Sequence, residues 1–396
     1  MQRRTCLALL AALVASPSLA TTKKKPAAPA RAPYSTRPEV QAFVAEFVSR
    51  HGGDEQALAR LLDSARYDAR VERLMQPPIA YGQRNWTTYR SRYLEPARLA
   101  AGLAFWEANA ATLARAQEQF GVPAEVIVAI IGIETYYGRI TGRFRILDVL
   151  MTLAFDYTRR ADYYRAELEQ FLLLGRERAL DARNAQGSFA GAMGLPQFMP
   201  GSMRRWALDY DGDGRIDLAG SPADAIGSVA NFLVQHGWQA GEPAMLEAVA
   251  DEATAEALGR GIEAKFPWSE LQARGVTSAA PLAPETLVLL VDLPVVQADG
   301  SVVRDWRVGT RSYAAVLGYN RSYFYATAVL EFAQMLAAAR AATPAAKRPA
   351  AAPGERAPTE GGGAERATAE RGAAAAAAPG GTATTPRPAE ASAGSR

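Results

Sequence analysis

Val40, Phe43, Val44, Phe47 and Val48 recur with a helical period, and the spacing predicts an amphipathic helix over 38–50. Gly52-Gly53 ends it, and Asp54 suits the N-cap of a second helix carrying Leu58, Leu61 and Leu62. Pro77-Pro78 breaks the pattern, after which Trp86, Tyr89 and Tyr93 gather in a short helical piece. One long helix is expected from Pro96 to Phe120, with Leu99, Leu103, Trp106 and Leu113 inward. The next stretch, Val122–Arg139 (VPAEVIVAIIGIETYYGR), is different: Val126 to Ile133 is apolar or Gly at every position. A helix apolar all round is a buried central helix, and this one is too short to span a bilayer. Gly121 closes the preceding helix, and Pro123 suits the first turn of the new one.

Further helices are expected over 146–157, 163–178 and 222–236, the last with Ile226, Val229, Ala230 and Leu233 inward, and a short one over 253–259. Leu287 to Asp292 and Val302 to Val308 read as strands joined through Asp299-Gly300. A final helix runs to about Met335. The expected fold class is mainly α (α+β), a helical body with a small antiparallel β subdomain.

Chemistry concentrates in three places. Glu134 ends the central helix, seven, four and three residues after Ile127, Ile130 and Ile131, and so shares their apolar face. Burial disfavours the charged carboxylate, which is how a general acid is made at neutral pH. The bland alternative is a helix-end Glu reaching solvent or Arg139. Second, Asn184 to Ser202 (NAQGSFAGAMGLPQFMPGS) reads as a structured Gly-rich loop entering a short helix, able to bring Ser188 or Gln197 close to a ligand. Third, DYDGDGRIDL places Asp209, Asp211 and Asp213 at positions 1, 3 and 5 of an EF-hand-type loop. Gly214 stands at 6, the Arg215 carbonyl at 7 and Asp217 at 9. The loop departs from the pattern at position 12, where Gly220 replaces the bidentate Glu. Asp224 is the candidate to close the shell, and also fits N3 of a capping box with Ser221 as N-cap and Pro222 at N1. Ca2+ is the expected ion, in a structural role; an acidic surface turn is the rival reading.

Composition narrows the chemistry. Of 396 residues, 49% are hydrophobic and 21% charged, as in ordinary globular proteins. The net charge of +3, with no dense basic block in the body, gives no reason to expect nucleic acid. Cys6 is the only cysteine, and His51 and His236 are the only imidazoles. A thiol nucleophile, a His-rich zinc site and a Ser-His-Asp triad therefore have little to draw on. No organic cofactor is expected. Residues 1–20 read as a signal peptide, with Arg3-Arg4, the apolar run from Leu7 to Val14 and Ser18-Leu19-Ala20. Cys6 precedes the apolar run and is not placed as a lipoprotein cysteine, so no membrane anchor is expected after cleavage. Residues 21–37 read as a flexible leader. Residues 337–396, rich in Ala, Pro and Gly, read as a disordered tail.

In this order VPAEVIVAIIGIETYYGR, GSFAGAMGLPQFMPGS, DYDGDGRIDL with AIGSVANFL, and YNRSYFYA resemble the lytic murein transglycosylase B family, soluble members of a goose-lysozyme-like superfamily. The resemblance covers roughly Pro38 to Met335. It implies an N-terminal helical region at 38–121 and a lysozyme-like catalytic core with the EF-hand-like loop at 122–245. A small α/β subdomain at 246–310 and a return to the core at 311–336 would follow. It implies non-hydrolytic cleavage of the MurNAc-β-1,4-GlcNAc bond of peptidoglycan to 1,6-anhydro-MurNAc, with Glu134 as the single acid/base. Ser188 and Gln197 would position the sugar. Tyr319, Asn320 and Tyr325 would line the cleft, as would Tyr89 and Tyr163, while Arg159 and Arg160 would meet the stem peptide. Asp209, Asp211, Asp213, the Arg215 carbonyl and Asp224 would hold calcium. Phe232 stands where a cleft Tyr can occur. The implied location is the periplasm, and the implied partners are glycan strands and whatever recruits the enzyme to wall synthesis or division. A hydrolytic muramidase and a non-catalytic wall-binding protein remain as alternatives, and Asp148 or Asp156 as candidates for a second carboxylate.

Overall fold

The computed structural model describes residues 32–76, 84–178 and 180–342. The signal-peptide reading, and the tail beyond 342, lie outside these residues. Fifteen α-helices and seven short strands are described. The N-terminal helices are α1 (Pro38–His51), α2 (Glu55–Asp63), α3 (Ala69–Leu74), α4 (Trp86–Ser91), α5 (Pro96–Ala108) and α6 (Ala110–Phe120). The central helix is α7 (Ala124–Thr135). After it come β1 (Phe144–Arg145), α8 (Ile146–Phe155), α9 (Ala161–Glu177), β2 (Gln186–Gly187), α10 (Pro200–Trp206) and α11 (Pro222–Gln235). The remainder is β3 (Met245–Val249), α12 (Glu252–Leu258), β4 (Phe266–Pro267), α13 (Trp268–Ala273), β5 (Thr277–Ser278), β6 (Leu287–Val296), β7 (Val302–Gly309), α14 (Arg311–Tyr319) and α15 (Tyr323–Ala342).

α7 is the axis of the molecule. Every residue from Val126 to Ile133 is buried, and Ile127, Ile130 and Ile131 are completely so. Each such side chain contributes roughly 1.5–3 kcal/mol of transfer free energy. α15, α5, α6 and α11 wrap it. The expected long helix over 96–120 is two helices, broken at Asn109, whose side-chain amide donates back to the Phe105 carbonyl at 2.8 Å. An Asn in this position competes for the helix's own hydrogen bonds, and the break swings α6 to meet both α7 and α11.

The body extends further at both ends than the apolar pattern indicates. Tyr34, read as leader, is buried, and its hydroxyl donates to Asp156 Oδ2 at 2.7 Å. Arg37 pairs with the same carboxylate at 3.0 Å. α15 passes Met335 to Ala342, with Leu336 fully buried.

A five-stranded antiparallel sheet of order β4-β6-β7-β3-β5 is inserted between α11 and α14. Alternation along β6 divides its side chains between two cores. Leu289, Val291 and Leu293 join the helical core, while Val288 and Leu290 join a smaller one with Trp268, Leu271, Trp306 and Val308. β6 packs against α4 and α15, so the sheet flanks the segment bearing Tyr89. No single described helix is long and apolar enough to cross a membrane.

Candidate active site

Glu134 lies on the last turn of α7, followed by two residues with left-handed backbones, Tyr136 (φ 51°) and Tyr137 (φ 59°). Such conformations cost of order 1–3 kcal/mol each and persist only where surroundings hold them. Here Tyr136 N–H donates to the Gly132 carbonyl at 3.0 Å and Ile140 N–H to the Thr135 carbonyl at 2.9 Å. The Thr135 hydroxyl donates to the Leu195 carbonyl at 2.9 Å, which ties the helix end to the Gly-rich loop. The turn delivers the Glu134 carboxyl to a cleft: protein surrounds it, yet the residue keeps some exposure.

Tyr325 O–H donates to Glu134 Oε1 at 2.6 Å. The Tyr319 ring stacks on Tyr325, centroids 6.4 Å apart and planes at 18°, and its hydroxyl donates to the Pro196 carbonyl at 2.6 Å. Tyr89 on α4 and Tyr93 just beyond it pack ring to ring at 5.1 Å. Burial pushes the Glu134 carboxyl up to about 7, and the Tyr325 hydrogen bond works against that rise. Burial also raises all four phenols, and the Glu134 charge raises each of them further. The carboxyl therefore sits inside a wall of neutral tyrosines. Arg139 does not reach it but lies over the Tyr136 ring at 4.7 Å.

The second-carboxylate candidates are elsewhere. Asp148 pairs with Arg145 at 2.8 Å and accepts the Arg66 amide, and Asp156 is held by Tyr34 and Arg37. Neither contributes to the Glu134 shift.

The Gly-rich loop folds through an antiparallel pairing of β1 with β2. A Cβ on Gly142 would stand 2.1 Å from the Gly187 carbonyl oxygen, so only Gly fits at that crossing. Ser188 and Gln197 are both buried. The Ser188 hydroxyl accepts the Ala192 amide at 3.1 Å, and Gln197, itself left-handed at φ 50°, donates Nε2 to the Gly194 and Thr141 carbonyls. Asn320 is buried beside Tyr319, and its Oδ1 has no hydrogen-bond partner among the described residues. Phe232 packs against Tyr319 at 4.7 Å and stacks on His236 at 3.8 Å.

Tyr163 and Arg160 belong to a second cluster rather than to the tyrosine wall. Arg160 lies over the Tyr163 ring at 4.1 Å, and both surround the buried carboxyl of Glu167, which accepts the Gly201 amide at 2.7 Å. Arg159 is exposed nearby.

At the cation loop, carboxylate oxygens of Asp209, Asp211 and Asp213 lie within 4.8 Å of one another. Asp209 also accepts the amides of Gly212, Asp213 and Gly214, which folds the loop around it. Hard oxygen donors so arranged suit a calcium-sized cation. Arg215 is exposed, with its amide on Asp213. Asp224 is not in this group. It is buried, and its oxygens accept the amides of Tyr210, Asp211 and Asp217. It also occupies N3 of α11, its amide on the Ser221 hydroxyl at 3.2 Å. A Cβ at Gly220 would lie 2.5 Å from Asp217 Oδ2, so a side chain at position 12 would require the Asp217 carboxylate to move.

Tyr93 was not singled out as a site residue from sequence. Its signal is the four-residue spacing from Tyr89, which also fits an ordinary core stripe.

Residues 35–334 match the family model described as the transglycosylase SLT domain. The chain is 40% identical over 315 residues to the membrane-bound lytic murein transglycosylase B of Escherichia coli K12, covering 78% of this chain and 85% of the relative. The soluble lytic transglycosylase SltB1 of Pseudomonas aeruginosa superposes with a TM-score of 0.70 at 41% identity, over 77% of this chain and all of the other. The Escherichia coli lytic transglycosylase Slt35, solved in complex with calcium, gives 0.68 at 40% identity, over 77% and 94%.

Proposed function

The chain belongs to the transglycosylase SLT domain family and is a lytic transglycosylase of peptidoglycan, and we propose that Glu134 alone serves it as both acid and base. The observation that carries this reading is geometric: one carboxyl hydrogen-bonded to Tyr325 inside a tyrosine wall, with Asp148 and Asp156 engaged by other residues elsewhere; burial there pushes the carboxyl up to about 7. Protonated Glu134 donates its proton to the glycosidic oxygen as the bond from that oxygen to MurNAc C1 breaks. The resulting carboxylate takes the proton of the MurNAc C6 hydroxyl, whose oxygen bonds to C1. Glu134 ends protonated as it began, no water is consumed, and the products are 1,6-anhydro-MurNAc and a free GlcNAc hydroxyl. Ordinary glycosidases use two carboxyl groups because water or the enzyme must supply the nucleophile; here the substrate supplies it.

Ser188, Gln197 and Asn320 hold the sugar's polar groups, and Tyr89, Tyr319 and Tyr325 pack its faces. Tyr163, Arg159 and Arg160 meet the anionic stem peptide. Residues 122–245 and 311–336 make up the catalytic core, and 246–310 the sheet subdomain. Asp209, Asp211 and Asp213, with the Arg215 carbonyl, bind structural calcium, while Asp224 orders the loop from behind. The signal at 1–20 sends the enzyme to the periplasm, where its substrate lies.

The test is digestion of purified sacculi by wild type and Glu134→Gln in parallel, with mass spectrometry of the released muropeptides. The expected result is anhydro ends from wild type and a loss of at least about a hundredfold in the variant. Products ending in reducing MurNAc would make the enzyme a hydrolase, and undiminished release by the variant would remove Glu134 from its role.

A further inference from the structure

Behind the tyrosine wall stands one cation that the reaction as described leaves unused. Arg98, in the first turn of α5, has only 11% of its side chain exposed. Its Nη1 donates to the Gly132 carbonyl at 2.7 Å. Its guanidinium lies over the Tyr136 ring at 4.7 Å and over the Tyr93 ring at 5.5 Å. Glu95, the carboxylate nearest to it, is 3.8 Å away and half in solvent. Arg98 Nε has no acceptor among the described residues. A guanidinium in such surroundings is costly unless a carbonyl dipole and aromatic faces compensate it. Its orientation therefore follows the two rings and the carbonyl rather than a salt bridge.

Those three partners belong to two different walls. Gly132 and Tyr136 stand two residues before and two after Glu134, at the strained end of α7. Tyr93 belongs to the α4 segment, and its ring packs on Tyr89. The two segments are far apart in sequence. Between Arg98 and the α4 segment, the link runs through rings and not through backbone hydrogen bonds.

We propose that Arg98 is a positioning residue for transglycosylation: it clasps the α4 tyrosines to the end of α7, fixing Tyr93 and Tyr89 beside Glu134 and keeping water from its carboxyl. The proposal rests on Glu134 being the acid/base. Arg98 does not touch the substrate. Its planar group serves two faces and one edge at once, which a lysine ammonium cannot do. Loosening the clasp admits water beside Glu134. Water stabilises the carboxylate and so lowers the carboxyl's pKa. Water near C1 also competes with the MurNAc C6 hydroxyl.

The experiment compares full-length wild type, Arg98→Met, Arg98→Lys and Glu134→Gln. It reads kcat and KM on muropeptides, the pH dependence of kcat, the ratio of reducing to anhydro ends, and melting temperature. Arg98→Met is expected to lose about tenfold or more in kcat with little change in KM, since small misplacements of reacting groups carry penalties of this size. The alkaline limb of its pH profile moves to lower pH, and reducing ends appear among its products. Arg98→Lys keeps the donor to Gly132 but not the ring contacts. It is expected to fold as wild type does and still show the altered product ratio. Wild-type pH profile and product ratio in both variants would overturn the clasp, whatever their melting temperatures, provided Glu134→Gln is inactive. An active Glu134→Gln would instead overturn the reading of Glu134 on which the clasp depends.

Discussion

Glu134 is an acid that folding keeps protonated. Below about pH 4.5 it carries its proton in both folded and unfolded chains. Between that value and about 7 the unfolded chain releases the proton and the folded one holds it, so stability falls as pH rises through this window and is level above it. Glu134→Gln removes the cost. It is expected to stabilise the protein by roughly 3 kcal/mol at pH 8 and to leave it unchanged at pH 4, as read from urea midpoints at the two pH values. Equal midpoint shifts at both would mean that the carboxyl is not held up by burial. Tyr325 acts in the opposite sense, because its hydroxyl donates to the charged form. In Tyr325→Phe the alkaline limb of the kcat profile should therefore move to higher pH, with kcat down about tenfold; a limb that stays put would show that the bond does not form in the working enzyme. At this scale much was legible. A Glu on the apolar face of an all-apolar helix is a visible anomaly, and so are three alternating Asp residues around Gly. Arg98 was not, because an Arg early in an amphipathic helix reads as a solvent-facing residue until the partner rings are placed. Asp224 was legible as a cap but its three loop amides were not, since they come from residues without a periodic relation to it.

Among the elements, the end of α7 and the Gly-rich loop work as one unit, joined by the Thr135 hydroxyl and by the β1–β2 pairing. Gly142 sits at that pairing with φ 87° and the Gly187 carbonyl against it. Gly142→Ala is expected to cost about 3 kcal/mol or more, the left-handed penalty plus the clash. Gly300→Ala in the β6–β7 turn, with a similar φ but open space, should cost only about 1–2 kcal/mol. Comparable denaturation midpoints for the two would show that the loop yields without strain. The pattern of apolar positions located most helices because each presents a periodic stripe to one core. It did not mark the break at Asn109, where the stripe continues while the axis turns. Nor did it find β3, β4 and β5, which at two to five residues are too short for alternation to register.

For the molecule as a whole, the cation loop leads directly into α11, a helix packed on the axis. Calcium at about a hundred times its dissociation constant should add roughly 2.7 kcal/mol, seen as a melting temperature several degrees higher than after chelation. Asp209→Asn with Asp213→Asn should abolish the difference, and no difference in the wild type would remove calcium from the account. The placement of the sheet has a consequence for how the cleft comes into being. Tyr325 and Glu134, partners in one hydrogen bond, are separated by 191 residues of chain. Yet the insertion begins and ends side by side, Met245 opposite Gly309 in the ladder. Once β3 and β7 pair, the residues between them no longer separate α11 from α14, and these two helices pack against each other. The pairing takes about a third of the 191 residues out of the loop, and because closure entropy grows slowly with length this saves only about 0.4 kcal/mol. What the sheet supplies is direction: it holds the start of α14 beside the end of α11, so that α15 re-enters the helical body against α7 and brings Tyr325 to Glu134.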